Sequence, residues 1–153
     1  MVVDLQQIQG ISLIPLKIIT GESGTVMHNL KKSDSDFAGF GEAYFSTVMH
    51  GAIKGWKRHN RMILNITVPV GSIKFIIYDD RKSSQSKGTY GEVILSPANY
   101  FRLTVQPGLW MAFEGVSSGL NLLLNVASIE HDPGEADNRP FDYPGMPKIG
   151  VRK

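Results

Sequence analysis

Gly51-Ala-Ile-Lys-Gly-Trp-Lys-Arg-His59 gathers Lys54, Lys57, Arg58 and His59 around a single tryptophan, Trp56. The chain has four histidines and no cysteine, so this is a dense cluster of groups that hold or move protons. A lysine acts as a base near neutrality only where burial and neighbouring cations disfavour its charged form. Lys57 has Lys54, Arg58, His59 and Arg61 close to it in sequence. In a regular strand His59 shares a face with Lys57 and Gly55, because side chains alternate with period two. Lys57 and His59 are therefore both candidates for a general base. Without that chemistry, the same charges read as a solvated strand edge and His59 as a structural histidine. Arg81 and Arg102 are of the type that grips phosphates bidentately, although strand-end arginines are commonly solvated.

The elements that must position these residues are strands. Leu64, Ile66 and Val68 alternate with Asn65 and Thr67, which predicts one buried and one polar face. Phe101, Leu103 and Val105 repeat the pattern. Ile73 to Tyr78, Tyr90 to Leu95, Leu109 to Phe113 and Leu122 to Val126 also read as strands, as do Phe40 to Val48 and the segment from Val26 to Leu30. The apolar run from Ile8 to Ile19 carries Pro15, which suits an edge or bulged strand. Lys82 to Gly88, rich in Ser and Lys, reads as a mobile surface loop. Short strands broken by Gly/Pro turns every ~8–12 residues predict an all-β sandwich or barrel. After Glu130 the composition shifts to Asp, Pro and Gly, and the tail is expected to wrap the surface or hang loose.

A length of 153 residues fits one domain with one core, and 42% hydrophobic with 20% charged residues fits a globular chain rather than a disordered one. A net charge of +2 without a long basic run argues against nucleic-acid binding. The absence of cysteine removes disulfides and thiolate metal sites and suits a reducing compartment. The start, Met1-Val-Val-Asp-Leu-Gln-Gln, lacks a basic segment followed by an apolar one, and no apolar run approaches the ~20 residues of a bilayer span. A cytoplasmic protein without membrane association is expected. No phosphate-cradling Gly-x-x-x-x-Gly-Lys-Ser/Thr, Gly-x-Gly-x-x-Gly or Gly-x-Ser-x-Gly motif occurs.

From Gly51 to about Val126 the chain resembles the dTDP-4-dehydrorhamnose 3,5-epimerase family, a branch of the cupin jelly rolls. Gly51-Ala-Ile-Lys-Gly-Trp-Lys57 resembles the family's Gly-Val-Leu-Arg-Gly-Leu-His. Val70-Gly71 and the strand ending Asp79-Asp-Arg81 resemble its Gly-Glu-Val strand ending Val-Asp-Ile-Arg. Thr89-Tyr-Gly91 resembles its Thr-Phe-Gly, and Leu95-Ser96, Asn99 and Leu103 keep its Leu-Ser-x-x-Asn-x-x-x-Leu spacing. Gln106-Pro-Gly-Leu-Trp-Met-Ala-Phe113 resembles its Pro-x-Gly-Phe-x-His-Gly-Phe. The resemblance implies a cupin jelly roll over residues 1–130, with residues 131–153 as a C-terminal extension.

It also implies an activity: metal-free, cofactor-free epimerisation or isomerisation of a nucleotide-linked 4-keto sugar in cell-surface polysaccharide synthesis. The nucleotide sugar would be the small-molecule partner. A homodimer with exchanged N-terminal strands is implied as well, and the apolar run from Ile8 to Ile19 suits it. Lys57 or His59 would be the base, and Lys54, Arg61 and Arg81 would meet the substrate's phosphates. Trp56 and Trp110 would stack on the ligand at the barrel mouth, or else serve as core or interface tryptophans. The chain departs from the family at its catalytic positions. Lys57 and Met111 replace histidines, Lys54 replaces an arginine, and the family's acidic tyrosine falls within the apolar Leu122-Leu-Leu124. No His-x-His pair is present, so no metal centre is expected. These departures leave open a non-catalytic cupin that binds a sugar or sugar nucleotide or scaffolds a pathway, and a ketoisomerase.

Overall fold

In the computed structural model, which describes residues 1–150, the chain runs through twelve strands and two three-residue 3-10 turns, Leu5–Gln7 and Pro133–Glu135. The strands are β1 (Ile11–Pro15), β2 (Ile18–Gly21), β3 (Gly24–Met27), β4 (Glu42–Thr47), β5 (Ile53–His59) and β6 (Leu64–Val70). They continue with β7 (Ile73–Tyr78), β8 (Tyr90–Leu95), β9 (Phe101–Val105), β10 (Trp110–Gly115), β11 (Leu122–Ala127) and β12 (Ala136–Asn138). Two five-stranded antiparallel sheets, ordered β1-β9-β6-β11-β4 and β12-β5-β10-β7-β8, face each other as a jelly-roll sandwich. β2 and β3 form a separate hairpin. Pro15 ends β1, so the apolar run expected as one strand divides into two. Among the described residues no helix is long and apolar enough to cross a membrane.

The main core lies between the sheets. Ile73, Phe75 and Ile77 of β7 meet Leu64, Ile66 and Leu103 from the opposite sheet. Each such side chain contributes roughly 1.5–3 kcal/mol on leaving water. The expected polar face of β6 is not exposed: Asn65, Thr67, Arg102 and Thr104 are all buried, Thr67 and Arg102 against Asn29 of the segment around residues 28–36, and Asn65 against Thr104, Asn125 and Val126. Arg102 is satisfied there by Asp34 at 3.1 Å and by both oxygens of Asp36, at 2.6 and 2.8 Å. The loop expected to be mobile after Asp79 is instead pinned. The buried Asp79 carboxylate accepts from Arg81 and from the hydroxyls of Ser84 and Ser86. Burial works to raise its pKa, but those bonds outweigh it and hold the group well below the usual carboxylate range.

A second, smaller core covers the outside of the β5-β10-β7 sheet. Trp56, Ile76, Trp110 and Ala112 are buried there with Met146 of the C-terminal segment. That segment adds β12 to the sheet edge and then crosses the outer face, so residues 131–150 are docked on the sandwich.

Candidate active site

A one-residue bulge in β5 sets the geometry. Met111 pairs with Lys57 and Phe113 with Lys54, so β5 spends three residues where β10 spends two. Gly55 occupies this bulge at φ +127°, a region open to glycine. A β-carbon there would lie 2.7 Å from both the Ala112 Cα and the Met111 carbonyl oxygen. The extra residue brings Lys54 onto the inner face beside Lys57 and His59, while Trp56 points outward.

These residues line a cavity of about 290 Å³ between the sheets. Lys54, Lys57, His59, Met111 and Phe113 form one wall. Tyr44, Ser46, Leu64, Ile66, Leu123 and Asn125 form the other. The cavity is thus partly apolar, with a few polar groups converging on it.

His59 is the best-organised group in it. Its Nδ1 is hydrogen-bonded to Oε1 of Glu135, a residue 4% exposed. The other carboxylate oxygen accepts backbone N–H bonds from Asn60 at 3.1 Å, Arg61 at 3.0 Å and Met62 at 3.3 Å. Burial pushes the Glu135 carboxyl up, but the His59 bond and the backbone donors prevail and bring it down to about 2. Glu135 is therefore an anion at neutral pH that fixes the ring and its tautomer. With Nδ1 committed to Glu135, Nε2 is left for a ligand.

Tyr44 stands on the opposite wall, on β4. Its phenol oxygen accepts a hydrogen bond from Asn125 Nδ2 at 2.9 Å, which leaves the phenol proton free to be donated. Burial raises its pKa, against the opposing Asn125 bond, so the phenol stays protonated at neutral pH. Lys57 has no carboxylate within ion-pair distance among the described residues. Lys54 donates from Nζ to the Thr47 carbonyl at 2.6 Å and to Ser46 Oγ at 3.3 Å.

Lys54, Lys57 and His59 are thus brought together, and four other expected site residues are not. Trp56 and Trp110 are buried under the C-terminal segment on the outer face, because each alternates with an inward neighbour, Lys57 on β5 and Met111 on β10. Arg61 reaches out to Asp132 at 2.7 Å with its side chain 60% exposed. Arg81 is held by Asp79 and the Gln9 carbonyl, away from the cavity.

Two site residues escaped the sequence reading. Glu135 lies 76 positions from His59, and nothing in Asp132-Pro-Gly-Glu135 marks it as a partner. Tyr44 alternates with Phe45, and hydrophobicity alone would turn the phenylalanine inward. The reverse occurs: Phe45 is 67% exposed and Tyr44 faces the cavity. Met111 and Leu123 do place apolar surface where the resemblance puts proton carriers, but they stand beside His59 and Tyr44. Among the described residues no group of three or more His, Cys, Asp or Glu side chains is positioned to hold a metal ion.

No protein-family model matches the chain. Over 102 residues it is 26% identical to the probable low-salt glycan biosynthesis epimerase Agl13 of Haloferax volcanii, a match covering 66% of this chain. That match spans 65% of the relative's length, just under two thirds. The crystal structure of a dTDP sugar isomerase from Desulfovibrio desulfuricans G20 has a TM-score of 0.88 and 37% identity, covering 92% of this chain and 90% of that one. RmlC of Legionella pneumophila, a dTDP-6-deoxy-D-glucose-3,5-epimerase in complex with dTDP-4-keto-L-rhamnose, has a TM-score of 0.79. It covers 93% of this chain and 79% of that one, and at 19% identity the likeness carries the fold alone.

Proposed function

Since the chain belongs to the family of the dTDP sugar isomerase, we propose that it epimerises or isomerises a dTDP-linked 4-keto sugar in glycan biosynthesis. The observation that carries this reading is His59, held by Glu135, lining the cavity opposite Tyr44. A keto group acidifies the neighbouring C–H. Nε2 of His59 takes that proton, and the C–H bonding pair moves into the ring to give an enolate with its charge on the keto oxygen. Glu135 stabilises the imidazolium that results. Lys57 stands on the same wall without a carboxylate partner and supplies the cation for the enolate oxygen. As the enolate collapses, Tyr44 delivers its phenol proton to carbon from the opposite face, which inverts the centre. Exchange with water resets both groups. Between the two sequence candidates for the base, His59 is preferred because it alone has an orienting carboxylate.

Solvent-deuterium exchange tests this. Wild-type protein in D2O is expected to wash deuterium into a dTDP-4-keto-6-deoxy sugar beside the keto group. His59→Asn, folded, is expected to lose ~10²- to 10⁴-fold of that rate. Full exchange by His59→Asn would overturn the base assignment. No exchange and no dTDP-sugar binding by the wild type would overturn the function.

A homodimer belongs to the same proposal. The β2–β3 hairpin leaves Ile19 53% and Val26 58% exposed, and a second copy would cover them. A monomer by light scattering at micromolar concentration would refute it.

A further inference from the structure

Apart from the bonds of Glu135 itself and the backbone pairing of β12 with β5, the segment that carries the carboxylate orienting His59 has little hold of its own. Glu135 directly precedes β12, a three-residue edge strand whose side chains are Ala136, Asp137 and Asn138. None of these buries a large apolar surface. The Arg58–Asp137 pair beside it is close, at 2.6 Å, but its side chains are 27% and 46% exposed. Arg61–Asp132, on the other side of Glu135, is more exposed still. Ion pairs this exposed are screened by solvent and hold a strand only weakly. Register matters here, because a slip of one residue moves a strand by ~3.3 Å and turns each side chain to the other face. Either change would take the Glu135 carboxylate off His59 and off its three backbone donors.

We infer that Arg139 is a positioning residue for the proton transfer: it fixes the register of β12 and thereby holds Glu135 against His59. This rests on the proposed reading of that pair as the base. Arg139 follows β12 directly, and its backbone exchanges two hydrogen bonds with Trp56, at 3.1 and 3.3 Å. Its guanidinium stacks 4.2 Å from the Trp110 ring and 4.2 Å from the Tyr143 ring. One nitrogen donates to Asp80 Oδ2 at 3.0 Å, and the same oxygen accepts from Trp110 Nε1 at 3.0 Å. Arg58 stacks on Trp110 as well, 4.7 Å from the ring. Trp110 is almost wholly buried, so the stack is tied into the second core. A planar guanidinium between two rings with a carboxylate at its edge is a defined geometry that a lysine cannot reproduce. Trp110 thus takes a role in the site by anchoring the strap that bears Glu135.

The test compares Arg139→Ala, Arg139→Lys and Glu135→Gln in the full chain by two readouts. The first, in ligand-free protein, is the His59 Nδ1 proton resonance in ¹⁵N-edited NMR, which the Glu135 bond protects from solvent exchange. The second is kcat and KM on the dTDP-4-keto-6-deoxy sugar. Arg139→Ala is expected to melt cooperatively, lose the resonance as Glu135→Gln does, and lower kcat by about 10- to 100-fold with KM little changed. Arg139→Lys should fall between it and the wild type. A folded Arg139→Ala that keeps the resonance and stays within about twofold of wild-type kcat overturns the inference. If Arg139→Ala does not fold, Tyr143→Ala, which removes only the outer ring, is read by the same two criteria. If Glu135→Gln retains full kcat, the base reading fails instead, and the resonance alone then decides whether Arg139 sets the position of Glu135.

Discussion

Replacing Glu135 by glutamine separates what the buried carboxylate does for stability from what it does for catalysis. The substitution keeps volume and shape but removes the charge. The carboxyl sits at about 2 in the folded protein against an ordinary 4.5. At about 1.4 kcal/mol per pKa unit, the ionised group contributes roughly 3 kcal/mol at neutral pH. Because the folded value lies below the unfolded one, this stabilisation is fully present above pH 4.5 and is lost as pH falls through about 2. At this chain length ~3 kcal/mol corresponds to a melting temperature lower by about 6–12 °C at pH 7. The gap between wild type and variant should narrow from pH 4.5 downwards and close near 2. Catalysis should suffer separately. A glutamine amide donating to Nδ1 would hold the opposite tautomer and turn Nε2 from acceptor to donor, costing about 10²- to 10⁴-fold in deuterium wash-in. The assays are urea or thermal unfolding from pH 7 to 2.5 and the exchange reaction at pH 7. Parallel pH–stability curves for the two proteins would refute the electrostatic argument. Unchanged exchange by a folded variant would refute the role in orienting His59.

Two further substitutions probe the opposite wall and the bulge. Tyr44→Phe removes the phenol proton but keeps the ring; the fold should be retained and turnover of the 4-keto sugar should fall ~10²- to 10⁴-fold, measured as product formed per enzyme. Gly55→Ala places a methyl group 2.7 Å from the Ala112 Cα at φ +127°, and urea unfolding should show at least about 2 kcal/mol of lost stability, since the contact is with backbone.

The sequence by itself carried the fold because the fold is a local pattern repeated. Period-two alternation in 64–68 and 101–105, with Gly/Pro turns between, specifies strands wherever they end up. It also carried one wall of the cavity, because Lys57 and His59 lie two apart on one strand and share a face. What it did not carry was everything that depends on which segments meet. Tertiary contact alone made Glu135 the partner of His59 and turned Tyr44 inward against its hydrophobic order. It buried Asn65 among neighbouring strands and Thr67 against Asn29 of a loop, each with its hydrogen bonds met, and placed Trp56 and Trp110 under the C-terminal segment rather than in the cavity. The physical reason is the same in each case. A side chain's own polarity states its preference for water, but the environment it receives is set by the element packed against it. Here one extra residue at Gly55 decided which members of a single charged stretch face the cavity.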